Sequence, residues 1–515
     1  MPVPNHSAAD VLKSILNARV YDVAEETDLQ PARLLSSRLH NKIFLKREDQ
    51  QPIFCYKLRG AYNKMRQLSS SQLKQGVIVA SAGNHAQGVA MSAQKLGCKS
   101  TIVMPVTTPE VKVEAVKRWG AKVVLNGDSF DEAYHHALEI QAREDLVFVH
   151  PFDDLDIIAG QGTVGQEILR QHTGGKIHSI FLPIGGGGLI AGVAAYVKQL
   201  QPEIRIIGVE PDESDAMRRS LQAGRRVKLK EVGIFADGVA VKQVGKHTFK
   251  LCQQFVDEVV TVSTDEICAA IKDICEDSRT LVEPSGALAL AGVKHWLREK
   301  RKAGTLVSNQ NIVAICSGAN MNFDRLRHVS ERAEIGQRRE AILAVTIPER
   351  PGSYRQFINI LGKRSVSEFS YRHSNSSDAH IFVGVQISTR QEVNKLVQKL
   401  MSKGYPTLDL TDNEMAKIHA RHLVGGRAHG LENERLLSFE FPERPGALKN
   451  FLDQIGTTWN ITLFHYRNHG SDFGRVLCGI QVPPDMNKQF KQFLKQLGYR
   501  HKDETDNPIY KLFLS

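Results

Sequence analysis

Along the first part of the chain, short apolar runs alternate with longer stretches in which apolar residues recur every three or four positions. "GVIVA" (76–80) precedes "NHAQGVAMSAQKLG" (84–97), "KSTIVMP" (99–105) precedes "PEVKVEAVKRWG" (109–120), and "LVFVHPF" (146–152) follows later. The short runs are typical of buried strands and the longer pattern of amphipathic helices. The alternation predicts an α/β domain with a largely parallel sheet. Because ligands bind such sheets at the carboxyl ends of the strands, we expect functional residues there.

The pattern changes near residue 330, and beyond it the chain repeats itself. "PERPG" begins at 348 and again at 442, and "FSYR" at 369 is matched by "FHYR" at 464. Ordered matches at nearly constant spacing indicate a duplication. Each copy predicts the order strand, Pro-Gly turn, helix, strand, strand, helix, strand, which is a small α+β module.

The sequence therefore predicts three domains, which span residues 1–330, 331–425 and 426–515. A chain of 515 residues exceeds what a single hydrophobic core supports, which agrees with this division. The highly charged segment "VSERAEIGQRRE" (329–340) lies at the first boundary, and we interpret it as a connection.

Composition narrows the functional classes. The formal net charge is +11, but the basic residues are dispersed and form no run interleaved with aromatics, so we predict no nucleic-acid interface. The seven cysteines form no CxxC pair, which is typical of a reduced cytosol. No apolar run approaches the roughly 20 residues that span a bilayer, and the N-terminus has no apolar signal core. We expect a soluble cytoplasmic protein that does not bind membranes.

Three segments at predicted strand ends could carry chemistry, and the first is rich in glycine. It consists of Gly185, Gly186, Gly187, Gly188 and Leu189. Backbone N–H groups at the positive end of the following helix would face an anion with no side chain in the way. A tight structural turn would need fewer glycines. The segment predicts a phosphate site, although it matches neither the nucleoside-triphosphate motif nor the dinucleotide motif.

The second segment follows the predicted strand that ends at residue 80. It contains Ser81, Gly83, Asn84 and His85. Such a turn presents N–H groups and a hydroxyl to an anion, here a carboxylate. Taken in isolation, the segment is explained equally well if Asn84 or Ser81 simply caps the helix.

The third segment ends a predicted strand at Ser317, for which an ordinary turn residue is the default interpretation. Lys57 is a fourth candidate, because it begins a predicted helix, where a cation is unfavourable. Burial there would lower the pKa of its amine and favour the neutral, nucleophilic form. Considered alone, Lys57 is more simply a solvated surface charge. Arg59 receives a structural interpretation.

Taken together, "KLRGA", "SAGNHAQG", "GGGGL" and "SGAN" resemble the fold type II pyridoxal-phosphate enzymes, and their spacing is similar to that of the serine/threonine dehydratase branch. The context "LKREDQQPIFCYKLRGAY" (45–62) and the duplicated C-terminal half sharpen the resemblance to the threonine deaminase family. The resemblance runs nearly end to end. It implies a fold type II catalytic domain, with parallel sheets flanked by helices, followed by tandem ACT-like regulatory repeats.

The resemblance also implies roles for individual residues. Lys57 would bind pyridoxal 5'-phosphate covalently, Asn84 would contact the ring hydroxyl, and Ser317 would contact the pyridine nitrogen. Gly185 to Leu189 would hold the phosphate. The substrate carboxylate would be received by Ser81, Gly83, Asn84 and His85.

The reaction implied by the resemblance is the deamination of L-threonine, and also of L-serine, by β-elimination. A neutral serine at the pyridine nitrogen stabilises an α-carbanion less than a carboxylate partner would, which favours departure of a β-leaving group. Serine racemases of the branch carry a second base, a serine, at the position of Ala82, which argues for elimination from one side only. Members that bind a cation use a Glu and a downstream Asp, but Glu210 is accompanied here by Ala216, so we assign no metal.

For the repeats, the resemblance implies control by branched-chain amino acids, with isoleucine inhibiting and valine opposing it. Tyr371 and Arg372 in the first repeat correspond to Tyr466 and Arg467 in the second. Arg372 or Arg467 could pair with an effector carboxylate, although surface salt bridging explains them equally well. A homotetramer is implied by the resemblance alone.

Two alternatives remain open on the sequence. A serine dehydratase of the same fold would prefer serine to threonine in kcat/KM. A non-catalytic amino-acid sensor would show no cofactor absorption band, and the intact Lys57, glycine segment and Ser317 weigh against it.

Overall fold

The computed structural model describes residues 7–305, 307–348, 357, 360–361, 364, 366–371, 378–422, 432–442, 459–467 and 473–514. The chain divides into two compact units, Met1–Val329 and Ser330–Ser515. None of the helices within the described ranges is both long enough and apolar enough to cross a membrane. All seven cysteines are free thiols, of which Cys98 and Cys275 are partly exposed and the other five are buried.

The strands of the first unit form two sheets. They are β1 Leu29–Pro31, β2 Lys42–Lys46, β3 Val77–Ala80, β4 Ser100–Met104, β5 Lys122–Leu125, β6 Val147–Phe148, β7 Ile177–Pro183, β8 Arg205–Pro211, β9 Glu258–Val262 and β10 Asn311–Ile315. The larger sheet has the order β1-β2-β10-β7-β8-β9 and the smaller one β5-β4-β3-β6. Among these described strands every pairing is parallel except that of β1 with β2. The predicted α/β fold class with parallel sheets is confirmed.

The following helices begin in the first unit, and several of them pack on the two sheets. They are α1 Ala8–Leu16, α2 Arg33–Leu39, α3 Lys57–Arg66, α4 Ser70–Gln75, α5 Asn84–Leu96, α6 Glu110–Lys117, α7 Phe130–Glu144, α8 Leu155–Gln171, α9 Gly188–Leu200, α10 Ala216–Ala223, α11 Lys246–Phe255, α12 Thr264–Ser278, α13 Pro284–Lys302 and α14 Arg325–Gly336. Local sequence explains several starts. Ser263 caps α12 by accepting from the backbone N–H of Glu266, and Pro284 occupies the first turn of α13.

Two aliphatic cores fix the ends of the strands. Around the larger sheet, Ile180, Leu182 and Val313 are fully buried among the side chains of α9. Val79 and Ile102 belong to a second core, between the smaller sheet and α5. Strands that are buried on both faces favour continuous runs of branched aliphatic residues, which accounts for the patterns in the sequence. The loops after β3, β7 and β10 therefore start from rigid positions.

Helix α3, which begins at Lys57, is seated by close helix crossings. A Cβ added to Gly160 of α8 would lie 2.6 Å from the backbone oxygen of Arg59. A Cβ added to Gly88 of α5 would lie 3.2 Å from the backbone of Leu58. Because both separations are tighter than ordinary van der Waals contact, glycine allows α5 and α8 to approach α3 closely.

The second unit contains two four-stranded antiparallel sheets of the same topology. Its strands are β11 Glu340–Pro348, β12 Val366–Tyr371, β13 Asp378–Gln386, β14 Thr407–Asp409, β15 Glu434–Pro442, β16 Asn460–Arg467, β17 Phe473–Gln481 and β18 Arg500–Asp503. The helices within its described residues are α15 Arg390–Ser402, α16 Glu414–Ile418, α17 Asn487–Leu497 and α18 Pro508–Phe513. The sheet orders are β12-β13-β11-β14 and β16-β17-β15-β18. Each repeat is therefore an α+β module, and the matching orders are those of a duplication.

Both faces of these sheets are used. One face of each sheet covers its own helical core, which contains Leu396 in the first repeat and Phe490 in the second. The opposite faces share a cluster that includes Phe382, Leu436 and Leu477. This double burial explains why "AILAVTI" in β11 is almost continuously apolar. The Pro-Gly turns at 351–352 and 445–446 lie outside the described residues.

Candidate active site

Lys57 is the first residue of α3, and its side chain lies in a recess where it is only partly exposed. The amine Nζ donates to the backbone oxygen of Pro151 at 3.1 Å and lies 5.5 Å from the ring centroid of Tyr56. Desolvation by the surrounding protein lowers the pKa of Lys57 and outweighs the opposing attraction of Cys55 and Glu283. The structure thus favours a neutral, nucleophilic amine at this position.

The segment after β3 borders open space. No side chain of the described residues caps α5, whose N-cap is Gly83, so the capping interpretation of Ser81 and Asn84 is wrong. The hydroxyl of Ser81 instead accepts from the backbone N–H of Gly83 at 3.3 Å. A Cβ added to Gly83 would meet no described atom within 4 Å. The first N–H groups of α5 are therefore available to an anion.

His85 is buried, and its ring turns away from this opening. Its Nε2 lies 3.1 Å from the backbone oxygen of Val149, which can only accept, so Nε2 carries the proton. Its Nδ1 has no hydrogen-bond partner among the described residues. Burial and the nearby Lys57 lower the pKa of His85 to about 3. His85 is neutral, and an anion in front of α5 would be bound by backbone N–H groups rather than by an imidazolium.

The glycine segment joins β7 to α9. Gly187 has φ +97, in the left-handed region that favours glycine, and no side chain within the described part of the chain caps α9. A Cβ added to Gly186 would lie 2.1 Å from the ring of Phe152. Glycine is thus required both for the turn and for the approach of Phe152. The uncapped helix start leaves backbone N–H groups for an anion.

Ser317 follows β10 and is buried. Its hydroxyl donates to the backbone oxygen of Ser285 at 3.1 Å. The backbone N–H of Tyr56 donates to the oxygen of Ser317 at 3.4 Å, and Cys55 forms a β-bridge with Gly318. These backbone bonds hold Ser317 beside the segment that carries Lys57.

The four segments singled out by the sequence meet at one place. Residues 151 and 152 connect two of them, because Pro151 accepts from Lys57 and Phe152 packs on the glycine segment. Asn320, just after Ser317, donates to the side-chain oxygen of Asn84 at 2.7 Å. The structure therefore brings an amine, two uncapped helix starts and a buried hydroxyl together at the carboxyl ends of β3, β7 and β10.

Glu283 is a member of this site that the sequence analysis missed. Its Oε1 accepts from Asn84 Nδ2 at 2.7 Å and from the hydroxyl of Ser285 at 2.6 Å. Its backbone N–H donates to Gly318 at 3.1 Å. Burial raises the pKa of Glu283 above its ordinary value. In the sequence, Glu283 only precedes the proline that opens α13, and nothing there signals its contact with Asn84.

Glu210, the residue that the sequence analysis considered as a cation ligand, caps the start of a helix. Its two carboxylate oxygens accept from the backbone N–H groups of Met217 at 2.8 Å and Arg218 at 2.9 Å, in the first turn of α10. Burial raises the pKa of Glu210 to about 8. Both oxygens thus cap the positive end of α10.

Beneath α3 lies a cluster of buried charges: Lys46, Glu48, Arg59 and Glu167. Arg59 contacts Glu48 at 2.8 Å and Glu167 at 2.6 Å, and Lys46 contacts Glu167 at 2.5 Å. All four side chains have an exposed fraction of 0%. Arg59 is structural, as predicted, but it is a buried ion-pairing residue rather than a surface charge.

Comparison with known proteins adds to this geometry. Residues 20–318 match the family described as pyridoxal-phosphate dependent enzyme, and residues 331–420 and 425–514 each match the C-terminal regulatory domain of threonine dehydratase. The chain is 57% identical to L-threonine dehydratase biosynthetic IlvA of Burkholderia multivorans, over 98% of this chain and 99% of that protein. The chain belongs to the biosynthetic threonine dehydratase family. Within this family, L-threonine dehydratase biosynthetic IlvA of Escherichia coli is 50% identical over 98% of this chain and 97% of its own length.

Solved structures agree with the threonine dehydratase family. The processed form of threonine deaminase isoform 2 from Solanum lycopersicum has 50% identity and a TM-score of 0.62, covering 65% of this chain and 91% of that chain. Maize serine racemase has 32% identity and a TM-score of 0.58, covering 62% of this chain and 96% of that chain. The fold type II catalytic domain and the duplicated regulatory module are confirmed. The cofactor of the family is pyridoxal phosphate.

The residues at the site fit this cofactor. Lys57 supplies an amine of lowered pKa, and the uncapped start of α9 supplies N–H groups for a phosphate. A second uncapped helix start, at Gly83, faces open space and could take a carboxylate. The buried hydroxyl of Ser317 supplies a polar contact on the β10 side.

Proposed function

We propose that this chain deaminates L-threonine, and L-serine as a second substrate, by β-elimination of water. The enamine released from threonine then takes up water and gives 2-oxobutanoate and ammonia. This reaction would begin isoleucine biosynthesis. The convergence of Lys57 with the two uncapped helix starts is the observation that carries the proposal. Family membership over nearly the full chain supports the choice of threonine.

Pyridoxal phosphate, when bound, supplies a conjugated ring that withdraws electrons from the substrate α-carbon. We assign Lys57 Nζ to hold it covalently, Asn84 to its ring hydroxyl and Ser317 Oγ to its pyridine nitrogen. Backbone N–H groups of Gly185 to Leu189 would hold its phosphate. Glu283 would orient Asn84, because it accepts a hydrogen bond from the amide that must face the ring.

Lys57 would also move the proton. The amine at Nζ, in its neutral form, would take the proton from the α-carbon of the bound substrate. Burial lowers the pKa of Lys57, which shifts this amine toward its neutral form. The substrate carboxylate would be bound by Ser81 and by the backbone N–H groups of Gly83, Asn84 and His85, which fixes the α-carbon in front of Lys57.

Two neighbouring residues favour elimination over other outcomes. The hydroxyl of Ser317 carries no negative charge, so it would stabilise a protonated pyridine nitrogen less than a carboxylate would. Ala82 stands where the resemblance puts the second base of serine racemases, and an alanine side chain is neither an acid nor a base. Proton transfer is therefore confined to one side of the α-carbon.

The activity is tested by the formation of 2-oxobutanoate from L-threonine by the purified full-length protein. We expect kcat/KM for threonine to exceed that for serine. A clear preference for serine would make the chain a serine dehydratase, and the absence of both turnover and a cofactor absorption band would make it a sensor.

The C-terminal repeats would control this activity. We propose that isoleucine binds them and makes threonine saturation more sigmoidal, and that valine opposes the effect. Tyr371 ends β12, Tyr466 and Arg467 end β16, and Arg372 lies outside the described residues. These four residues stay candidates for effector contacts. Measuring isoleucine binding to Arg372→Ala and Arg467→Ala would test the two arginines.

The domain limits 1–330, 331–425 and 426–515 also stand as a proposal. The division after Val329 and the family matches at 331–420 and 425–514 support them. A cytoplasmic homotetramer completes the proposal, and light scattering of the purified protein would test the number of subunits.

Glu283→Ala is expected to lower kcat/KM for threonine about 10- to 100-fold. The change leaves the donors of Asn84 and Ser285 without their acceptor, which costs about 1–3 kcal/mol for a buried group. Glu283→Gln keeps an acceptor oxygen, and we expect its kcat/KM for threonine to fall less than that of Glu283→Ala. Glu299→Ala is the matched control, since Glu299 lies on α13, the helix that Glu283 immediately precedes, and has a 44% exposed side chain. Equal activity of Glu283→Ala and Glu299→Ala would contradict the role given to Glu283.

A further inference from the structure

Asp237 forms ion pairs with two basic side chains from distant parts of the chain. Lys112 of α6 contacts Asp237 Oδ2 at 2.7 Å, and Arg325, the first residue of α14, contacts Oδ1 at 3.1 Å. Arg325 also donates to the backbone oxygen of Phe235 at 2.9 Å. Burial opposes the charge on Asp237, but the attraction of Arg325 and Lys112 outweighs it and holds the pKa of Asp237 below its ordinary value. We call Lys112, Asp237 and Arg325 the Asp237 cluster.

One side of the Asp237 cluster borders the active site. Gly238 follows Asp237, and a Cβ added to it would lie 2.5 Å from the hydroxyl of Ser285 and 3.4 Å from Oε1 of Glu283. Glu283 Oε1 accepts from Asn84, and the hydroxyl of Ser285 donates to the same oxygen. Helix α6, which carries Lys112 of the Asp237 cluster, packs on α5, the helix that begins with Asn84.

The other side of the Asp237 cluster is the start of α14. This helix begins at Arg325, within the first unit, and ends at Gly336, within the second. About two turns after Arg325, Arg332 binds the carboxylate of Glu414 through two hydrogen bonds of 2.6 and 2.9 Å. Paired donation of this kind fixes orientation as well as distance. The helix is thus tied by an arginine–carboxylate pair in each unit.

We propose that the Asp237 cluster couples the regulatory repeats to the substrate site through α14. The inference rests on the proposed regulation by isoleucine and goes beyond it by naming the route. When α14 shifts, Arg325 moves relative to Asp237, and the turn at Asp237 shifts with it. Lys112 on the α6 side and Glu283 on the α13 side then reposition Asn84. Asp237, Arg325 and Lys112 are positioning residues, and their effect falls on the affinity for threonine more than on kcat.

The test uses full-length holoenzyme and the variants Arg325→Met and Lys112→Met. We would measure the half-saturation by threonine with and without saturating isoleucine, and isoleucine binding by calorimetry in the absence of threonine. Both variants are expected to bind isoleucine within about twofold of the parent, while the ratio of the two half-saturation values falls at least about fivefold, since coupling of this kind spans roughly 5- to 150-fold. Arg325→Lys retains the charge and should restore part of the ratio.

The matched control for Lys112→Met is Lys117→Met, which removes a 53% exposed lysine from the same helix and should leave the ratio unchanged. An unchanged ratio in Arg325→Met, or a fall in Arg325→Met without one in Lys112→Met, would overturn the proposed route. Loss of isoleucine binding in either variant would overturn it as well. If isoleucine does not change the half-saturation of the parent protein by threonine, the proposed regulation by isoleucine is wrong. That result is obtained before any variant is made, so it is distinct from a failure of the proposed route.

Discussion

Lys57→Ala is expected to lower the turnover of L-threonine at least about 10³-fold. The amine of Lys57 has two tasks in the proposed function, since it holds the cofactor covalently and takes the α-proton, and transfer of a proton by a positioned base is worth about 10²- to 10⁴-fold by itself. The measurement is 2-oxobutanoate formation at saturating threonine and added cofactor. The cofactor absorption band of the purified protein is expected to change with the same substitution.

Two further variants sharpen this result. Lys57→Arg keeps a cation, but guanidinium does not deprotonate in proteins, so we expect it to be as inactive as Lys57→Ala. Lys64→Ala is the control, because Lys64 lies on the same helix with a 22% exposed side chain and pairs with Asp154 and Asp156. Substantial activity in Lys57→Arg would show that a neutral amine is not required. Lys57→Ala with full activity would remove Lys57 from the chemistry altogether.

Arg59→Met is expected to destabilise the first unit by about 3–5 kcal/mol, which is the usual cost of removing one partner from a buried ion pair. Glu48 and Glu167 would remain buried, with an exposed fraction of 0%, without their shared guanidinium. Burial disfavours the charge of Arg59, but attraction to Glu48 and Glu167 outweighs it and raises the pKa of Arg59. Unfolding in urea, monitored by the release of the cofactor, measures the decrease in the free energy of unfolding.

The same helix supplies the control for this experiment. Arg66 is exposed in the last turn of α3, and Arg66→Met should change stability by less than about 0.5 kcal/mol. Arg59→Lys retains one charge without the fork that reaches both carboxylates, so an intermediate loss is expected. If Arg59→Met were as stable as Arg66→Met, the ion pairs of Arg59 would make no net contribution to the stability of the first unit.

The parts of the site that could be predicted from the sequence are local. Gly185 to Leu189 and Ser81 to His85 each run from the end of a strand into the first turn of a helix. Both the strand pattern and the turn are encoded within a dozen neighbouring residues. In the sequence, only the resemblance of the surrounding motifs to a known family distinguishes Lys57 from an ordinary lysine. The burial of Lys57 depends on residues far along the chain.

The parts that could not be predicted depend on tertiary contacts. Glu283 and Asn84 are 199 positions apart, and Arg59 and Glu167 are 108 positions apart. No local pattern specifies which distant carboxylate meets which donor, because that choice follows from the packing of whole helices. The strand predicted for "LVFVHPF" shows the same limit. Only Val147–Phe148 are in β6, because the chain turns where His150 Nδ1 accepts from the backbone N–H of Phe152 and Asp153.

The distribution of the cysteines determines how the protein responds to electrophiles. Cys55 lies two residues from Lys57, but burial raises the pKa of its thiol well above the usual value, so little thiolate is available to react. Burial raises the pKa of Cys316, beside Ser317, in the same way. Alkylating reagents should therefore modify the partly exposed Cys98 and Cys275 first. Those two thiols offer positions where a fluorescent label could be attached while the catalytic recess stays unmodified.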